Sequence, residues 1–512
     1  MIYSGTIEAK TGHIIPVYKS GKPAHSKYNP QADKIQLPEN TSGCVLVFGI
    51  GAGFHIKNLL SNKNIAKVIG IEEDNESLEF CRTLNTVAEV QKDERVVLCS
   101  IENFNQCFGN NYIPVLHKKL TTVFLRSWHD EFSEADEKIN MLLKESLESI
   151  SADISVQAHF GKHWHRNILS NLQFISRESL ANKPILIPEG KTRAAVIAAG
   201  PTLDTSIGEL KKQKSFTFIV STDTAYGTLL SHGIIPDAVV SVDAQQISSE
   251  HFLGIEKTET IFVFDLSSNP EIIHLVHEKG NKIFFIGSNH PLTALVKEEL
   301  EIPLTESGSG TVTIAAADWA RQQNFREIEF FGADFAYSNG KPYCRGTYLE
   351  KKFNSTSCRT SSSEKLYSSL MFRTELEKTE DGLLGKLGKS AVTSKVLASY
   401  GSTLLQWASK YGFIQEGRLF KATKEFCREV VKKHNIFDYK SFVEKYISKV
   451  QNLSNTMEKL SDADIAGEIL KSRELISLLP LFAAFGKESI REDISLALQF
   501  LLYYNLSYEN KK

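Results

Sequence analysis

Between Gly308 and Tyr343 the chain reads GSGTVTIAAADWARQQNFREIEFFGADFAYSNGKPY: a glycine-rich turn, a helix of small residues, an apolar strand, then an aspartate and two tyrosines. Backbone N–H groups freed by Gly308 and Gly310 sit at a helix start, where the dipole favours an anion, which reads as a site for a phosphorylated ligand. The strand EIEFF carries Asp334 to its carboxyl end, where open α/β sheets hold their ligands. Tyr337 and Tyr343 flank the turn SNGKP. Their phenol hydroxyls can donate to phosphate oxygens and stabilise a departing nucleotide without a metal, the alternative being that one of the two is plain turn packing.

Other strand ends repeat the pattern. AAVIAA runs into Gly200-Pro201-Thr202-Leu203-Asp204, where Gly200 permits a tight turn or close ligand approach and Pro201 or Thr202 can open a helix. Asp223 follows in STDTAYG, Asp243 in SVDAQQ, Asp265 in FDLSSN, and Ser288-Asn289-His290 in GSNHP. Polar side chains at nearly every carboxyl end of one sheet form a binding rim, while some of these aspartates can simply cap the next helix.

The elements that must carry this rim are RAAVIAAG, SFTFIVS, DAVVSVD, TIFVFDL, KIFFIGS and EIEFFGAD. Six apolar strands alternating with helix-length segments predict a parallel sheet covered on both faces. An earlier α/β unit is predicted from CVLVFGIGAGFHIKNLL, KVIGIEED, RVVLCS and LTTVFLRS. The fold expected is therefore α/β with four segments: a Rossmann-like unit over 1–135, two linking helices over 136–190, the central parallel-sheet domain over 191–420, and a helical domain over 421–512. Residues 345–392, polar and glycine-rich, read as either an active-site lid supplying Arg345, Lys351, Lys352, Arg359 and Arg373, or a surface loop.

Bulk properties narrow the function classes. The 59 basic residues against 61 acidic ones leave no electrostatic footprint for nucleic acid or an anionic membrane. The opening MIYSGTIEAKTGHIIP has no apolar core, and no apolar run reaches a spanning length, so a cytoplasmic protein is expected. Seven cysteines without CxxC spacing argue against a disulfide framework and against a zinc site. His159, His163 and His165 have helical metal-pair spacing but no supporting glutamate, so no metal is expected.

The stretch from Gly308 to Tyr343 resembles the segment of bacterial CMP-sialic acid sialyltransferases that holds the nucleotide phosphate, and AAVIAAGPTLD resembles their opening strand and turn. The order of the whole chain is similar to the motility-associated factor (Maf) flagellin glycosyltransferases. That resemblance implies a sialyltransferase-like central domain and transfer of a nonulosonic acid (sialic, pseudaminic or legionaminic type) from a CMP donor to flagellin serines and threonines, with no separate cofactor. It further implies that Gly200, Pro201, Thr202 and Asp223 line the nucleotide or donor pocket with Ser309, Gly310 and Thr311. Tyr337 and Tyr343 would stabilise the leaving group, with Asp243 and Asp334 completing the catalytic set.

Two departures matter. Asp223 and Asp243 stand where the sialyltransferases favour asparagine, and Thr393 stands where their catalytic histidine is expected. A threonine is no base near neutral pH, which leaves Asp243, Asp334, Glu306 and His290 as candidates, Asp243 first. A flagellin-binding chaperone or export factor with a degenerate nucleotide site is the alternative from another class. The GPTLD opening also resembles archaeal-type pterin diphosphokinases, but those need closely spaced acids for magnesium, and no DxD pair occurs here.

In the first unit, Gly49-Ile50-Gly51-Ala52-Gly53 after a strand, with Glu72 and Glu73 ending the next, matches a dinucleotide or S-adenosylmethionine turn. The same residues could form a relic turn that holds nothing.

Overall fold

The computed structural model describes the chain apart from residues 34, 36, 38–40, 133, 307–309, 427–435 and 510–512. It divides into two compact units: Met1–Lys162 together with Lys440–Lys512, and His163–Tyr439. No helix among the described residues is long and apolar enough to cross a membrane.

The first unit opens with an antiparallel hairpin, β1 (Tyr3–Glu8) and β2 (Ile14–Tyr18). A four-stranded parallel sheet follows, built from β3 (Gly43–Phe48), β4 (Ile65–Glu72), β5 (Val96–Ser100) and β6 (Leu120–Phe124) in the spatial order β5-β4-β3-β6. Every residue of β3 is buried, as a central strand covered on both faces requires.

Two expectations need correction here. The segment predicted as two linking helices is one helix, Ala135–Arg177. Its Gly161 is no break: a Cβ there would lie 2.0 Å from the Pro480 carbonyl oxygen, so glycine permits close approach of the helix Leu479–Phe485. The carboxyl-terminal helices are also no separate domain. The helix Asp462–Leu470 buries Ala463, Ile465, Ala466 and Ile469 and packs on β4, so the first unit's sheet is covered by residues from both ends of the chain.

The second unit contains all six strands the apolar runs predict: β7 (Arg193–Ile197), β8 (Thr217–Thr222), β9 (Ala238–Ser241), β10 (Ile261–Asp265), β11 (Lys282–Ile286) and β12 (Glu327–Phe331). They lie parallel in the order β11-β10-β9-β8-β7-β12, and the antiparallel strands Leu419–Ala422 and Phe413–Glu416 extend the sheet beyond β12. The order reverses at β7, so the crevice at the topological switch opens between the carboxyl ends of β7 and β12.

The helix Val312–Gln322 lies across β7, β8 and β9. Its Ala315, Ala316 and Ala317 are fully buried, and their small side chains let the helix backbone approach the sheet closely. Trp319, also fully buried, packs between Phe218 and Phe284, at ring separations of 6.4 and 6.0 Å. Large apolar side chains of this kind contribute about 2–3 kcal/mol each when buried.

Candidate functional site

The switch crevice is built by two glycine-bearing strand ends that nearly touch. Gly200 N–H donates to the Gly332 carbonyl at 2.7 Å, and a Cβ on Gly200 would sit 2.4 Å from that oxygen and 2.6 Å from Asp334 Cγ. Gly332 has φ +64°, and a Cβ there would fall 2.3 Å from the Ala198 carbonyl oxygen. Only glycine fits at either position.

Asp334 is 8% exposed and turned toward the opposite strand end. Its Oδ2 accepts the Thr202 amide at 2.8 Å, and its Oδ1 accepts the Thr202 hydroxyl. Burial raises its pKa above the ordinary carboxyl value, against the pull of both Thr202 bonds. With both oxygens engaged, Asp334 holds the Gly200-Pro201-Thr202 turn in place, which makes it a positioning residue.

At the end of β8, Asp223 is 2% exposed. Its Oδ1 accepts the Thr224 amide at 2.7 Å and the Thr224 hydroxyl at 3.1 Å, while its Oδ2 accepts the Ser241 hydroxyl at 2.7 Å. Asp243, beyond the end of β9, is half-buried and accepts the Gln245 amide at 2.9 Å. Burial, reinforced by the charge of Asp223, raises its pKa despite that bond. The neighbouring charge of Asp223 thus adds to burial in making Asp243 hold its proton more readily than an isolated aspartate.

Tyr343 lies within electrostatic reach of Tyr348, Tyr337, Asp223 and Tyr400. Though 36% of the residue is exposed, its hydroxyl sits in a crowded setting, and burial pushes its pKa up to about 12. Tyr337 is raised by burial too. Both remain hydrogen-bond donors across the neutral range, the form that an anionic leaving group needs. The Tyr337 backbone pairs with Val392 in both directions, at 2.7 and 2.9 Å.

Thr393 follows Val392, and its hydroxyl donates to the Phe335 carbonyl at 2.8 Å. Phe335 has φ +49°, an uncommon conformation for a bulky residue that costs on the order of 1 kcal/mol or more. The residue standing in place of the expected histidine thus fastens the strained corner between Asp334 and Tyr337.

Of the proposed phosphate contacts, Ser309 lies outside the described residues. Gly310 has φ +77°, and the Tyr400 ring occupies the space above it, 2.8 Å from where a Cβ would be. Thr311 caps the helix by accepting the Thr313 amide at 3.3 Å. Tyr400 therefore stands over the helix start and within electrostatic reach of Tyr343. Sequence reasoning passed over Tyr400 and Tyr348, because each lies in an amphipathic helix with no spacing to mark it.

The remaining base candidates are engaged elsewhere. His290 Nδ1 accepts the Leu292 amide at 3.1 Å, and burial beside Trp164 and His165 pushes its pKa down to about 3. Glu306 pairs with Lys410 and accepts the Tyr411 hydroxyl at 2.8 Å; burial would raise its pKa, but those partners hold it below the ordinary value. Asp265 accepts the Ser267 amide and hydroxyl, closing a turn. The 345–392 segment is ordered around the helices Tyr348–Thr356 and Ser363–Met371, tied to the rim through Arg345 with Asp204 and Lys352 with Glu250.

In the first unit, the glycine loop's donors are met from within. Glu72, fully buried, accepts the Ile50 amide at 3.0 Å, the Gly51 amide at 3.4 Å, the Tyr3 hydroxyl at 2.9 Å and the Trp128 indole N–H at 2.9 Å. The Ala52 amide donates to His25 Nε2 at 2.9 Å, and His25 Nδ1 faces Asp33 at the same distance. A carboxylate and an imidazole of the chain itself thus occupy the amides that a cofactor phosphate or carboxylate would use.

A solved Maf glycosyltransferase from Magnetospirillum magneticum AMB-1 is similar along 99% of this chain and 92% of its own, with a TM-score of 0.58 and 12% identity. The chain has the Maf glycosyltransferase fold. The 6-hydroxymethylpterin diphosphokinase MptE-like family matches residues 166–340. Uncharacterised proteins of Treponema pallidum (strain Nichols) are similar in sequence: one is 33% identical over 150 residues, 29% of this chain and 69% of that protein. A second is 39% identical over 112 residues, 22% of this chain and 40% of its own length. The chain belongs to the same family as the first of these treponemal proteins.

Proposed function

We propose that this protein is a glycosyltransferase that moves a nonulosonic acid from a CMP ester to serine and threonine hydroxyls of flagellin. The observation that carries the reading is the tyrosine cluster around Asp223 at the carboxyl ends of β8 and β9, in a chain with the Maf glycosyltransferase fold from end to end. Tyr337 and Tyr343 donate to the CMP phosphate as it leaves an oxocarbenium-like anomeric carbon. The Gly200-Pro201-Thr202 turn, fixed by Asp334, receives the nucleotide, and the start of the helix Val312–Gln322 faces its charge through Gly310 and Thr311. Asp223 and Asp243 face the sugar hydroxyls or the acceptor. Incubation of the purified protein with CMP-linked nonulosonic acid and unmodified flagellin tests this. An intact-mass increase of one sugar with release of CMP is expected, and neither appearing would overturn it.

A second reading, a pterin diphosphokinase-like enzyme, is favoured by the MptE-like match over 166–340. Against it, both oxygens of Asp223 are held by Thr224 and Ser241 rather than left open toward a magnesium ion. Diphosphoryl transfer from ATP to a hydroxymethylpterin, measured with magnesium present, would reverse this ranking.

A further inference from the structure

One cavity lies beside the tyrosine cluster. It has a volume of 210 Å³ and is lined by Asp223, Tyr226, Glu250, His251, Tyr348 and Lys351 among others. Two of the lining residues, Tyr226 and His251, each hold a buried polar atom, the hydroxyl and Nδ1, that has no hydrogen-bond partner among the described residues. A buried polar atom left without a partner carries a desolvation cost that a ligand can relieve, and here two such atoms belong to residues of one cavity wall. The His251 ring stands edge-on to Tyr348 with centroids 4.6 Å apart, which fixes its orientation. It also lies within electrostatic reach of Asp243.

We propose that His251 is the general base of the transfer and that this cavity receives the acceptor hydroxyl. The proposal rests on the glycosyltransferase reading above and supplies the proton acceptor that Thr393 cannot be. The His251 imidazole takes the proton as the acceptor O–H bond breaks. The acceptor oxygen forms the new bond to the anomeric carbon, and the electron pair of the anomeric carbon–oxygen bond departs with the CMP phosphate, which Tyr337 and Tyr343 receive. Asp243 stabilises the imidazolium so formed, and the Tyr226 hydroxyl hydrogen-bonds the acceptor oxygen. Leu230 and Leu253, exposed beside the cavity, offer apolar contact to the chain bearing the hydroxyl.

The charged and titratable groups around His251 come from four elements. Glu250 shares its 3₁₀ helix, Asp223 and Tyr226 lie on the helix after β8, Asp243 follows β9, and Tyr348 and Lys351 lie on the helix Tyr348–Thr356. Glu250 is already paired with Lys352 at 3.1 Å.

The test compares wild type with H251A and H251Q by transfer to flagellin, CMP binding by calorimetry, and the pH profile of kcat/KM. Transfer is expected to fall about 10²–10⁴-fold in both variants while CMP affinity is retained, the acid limb of the profile to disappear, and added imidazole to restore part of the H251A rate. Wild-type rates in the variants, or a loss accompanied by an unchanged acid limb and no imidazole rescue, would overturn the assignment. Failure of the wild type itself to release CMP or modify flagellin sinks the underlying transferase reading instead, so the two failures are distinct.

Discussion

Asp334 and Thr202, separated by 132 positions in sequence, are joined by two hydrogen bonds: the Thr202 amide donates to Oδ2 at 2.8 Å, and its hydroxyl donates to Oδ1. The carboxyl end of β12 thereby sets the turn after β7. Asp334→Ala removes both acceptors and leaves the half-buried Thr202 amide unpaired, a loss of about 1–3 kcal/mol in stability. Chemical denaturation should show it, together with weakened CMP binding. Unchanged CMP affinity would mean that the turn does not touch the nucleotide.

Gly200→Ala offers a steric counterpart. Its Cβ would meet the Gly332 carbonyl and Asp334 Cγ at 2.4 and 2.6 Å, so strand ends that cannot separate cheaply must move. A cost of about 1–3 kcal/mol is expected from overpacking. Gly208→Ala, a helix position with open space around it, should be neutral or stabilising in the same assay.

Tyr343→Phe removes the hydroxyl whose pKa stands at about 12. Donor affinity should change little while kcat falls about 10²-fold, because the bond it makes strengthens only as the phosphate departs. A rise in KM with kcat intact would recast Tyr343 as a binding residue.

Acid should destabilise both units through buried histidines. Burial lowers His55 and His290 to about 3 and His117 to about 4. A histidine with a depressed folded pKa stays neutral in the fold while its unfolded form takes a proton below about 6.5, so stability is lost as pH falls through that value. By pH 5 each contributes a loss of about 2 kcal/mol. Asp243 and Asp334, raised by burial, act in the opposite sense, because the fold then retains their protons more tightly than the unfolded chain. Their effect comes nearer the ordinary carboxyl range, so melting temperature should already drop between pH 7 and pH 5. A flat profile over that interval would contradict the histidine burial.

Glu72→Ala would leave the Tyr3 hydroxyl, the Trp128 indole and the loop amides without their shared acceptor. A loss of about 3 kcal/mol or more is expected in the first unit. For the same reason neither S-adenosylmethionine nor NAD should raise the melting temperature of the wild-type protein. A saturable shift with either would show that Glu72 yields its place to a ligand.

The six strands of the second unit were legible because each is a continuous apolar run, the signature of a strand buried on both faces. Asp223, Asp243 and Asp334 were legible as strand-end acids, but not the difference between them. Only the fold reveals that Asp334 is turned onto Thr202 while Asp243 stands beside Asp223. His251 could not be read: it lies in ISSEHF, a 3₁₀ turn without motif spacing, and its partners come from three other elements. Gly161 proves to be a contact point that the sequence does not mark, because sequence does not say what passes on the other side. The amphipathic helices after Tyr439 announce a buried face without naming the sheet that covers it.

The first unit is discontinuous, with all of His163–Tyr439 falling between its two parts. During synthesis, its parallel sheet therefore emerges long before the helix that packs against β4. At about 5–20 residues per second, the delay is on the order of tens of seconds. Over that interval β4 lacks the helix Asp462–Leu470 that packs against it, so the second unit can complete its fold while the first still waits. Synthesis rate and chaperone supply should thus govern the yield of the first unit more than that of the second.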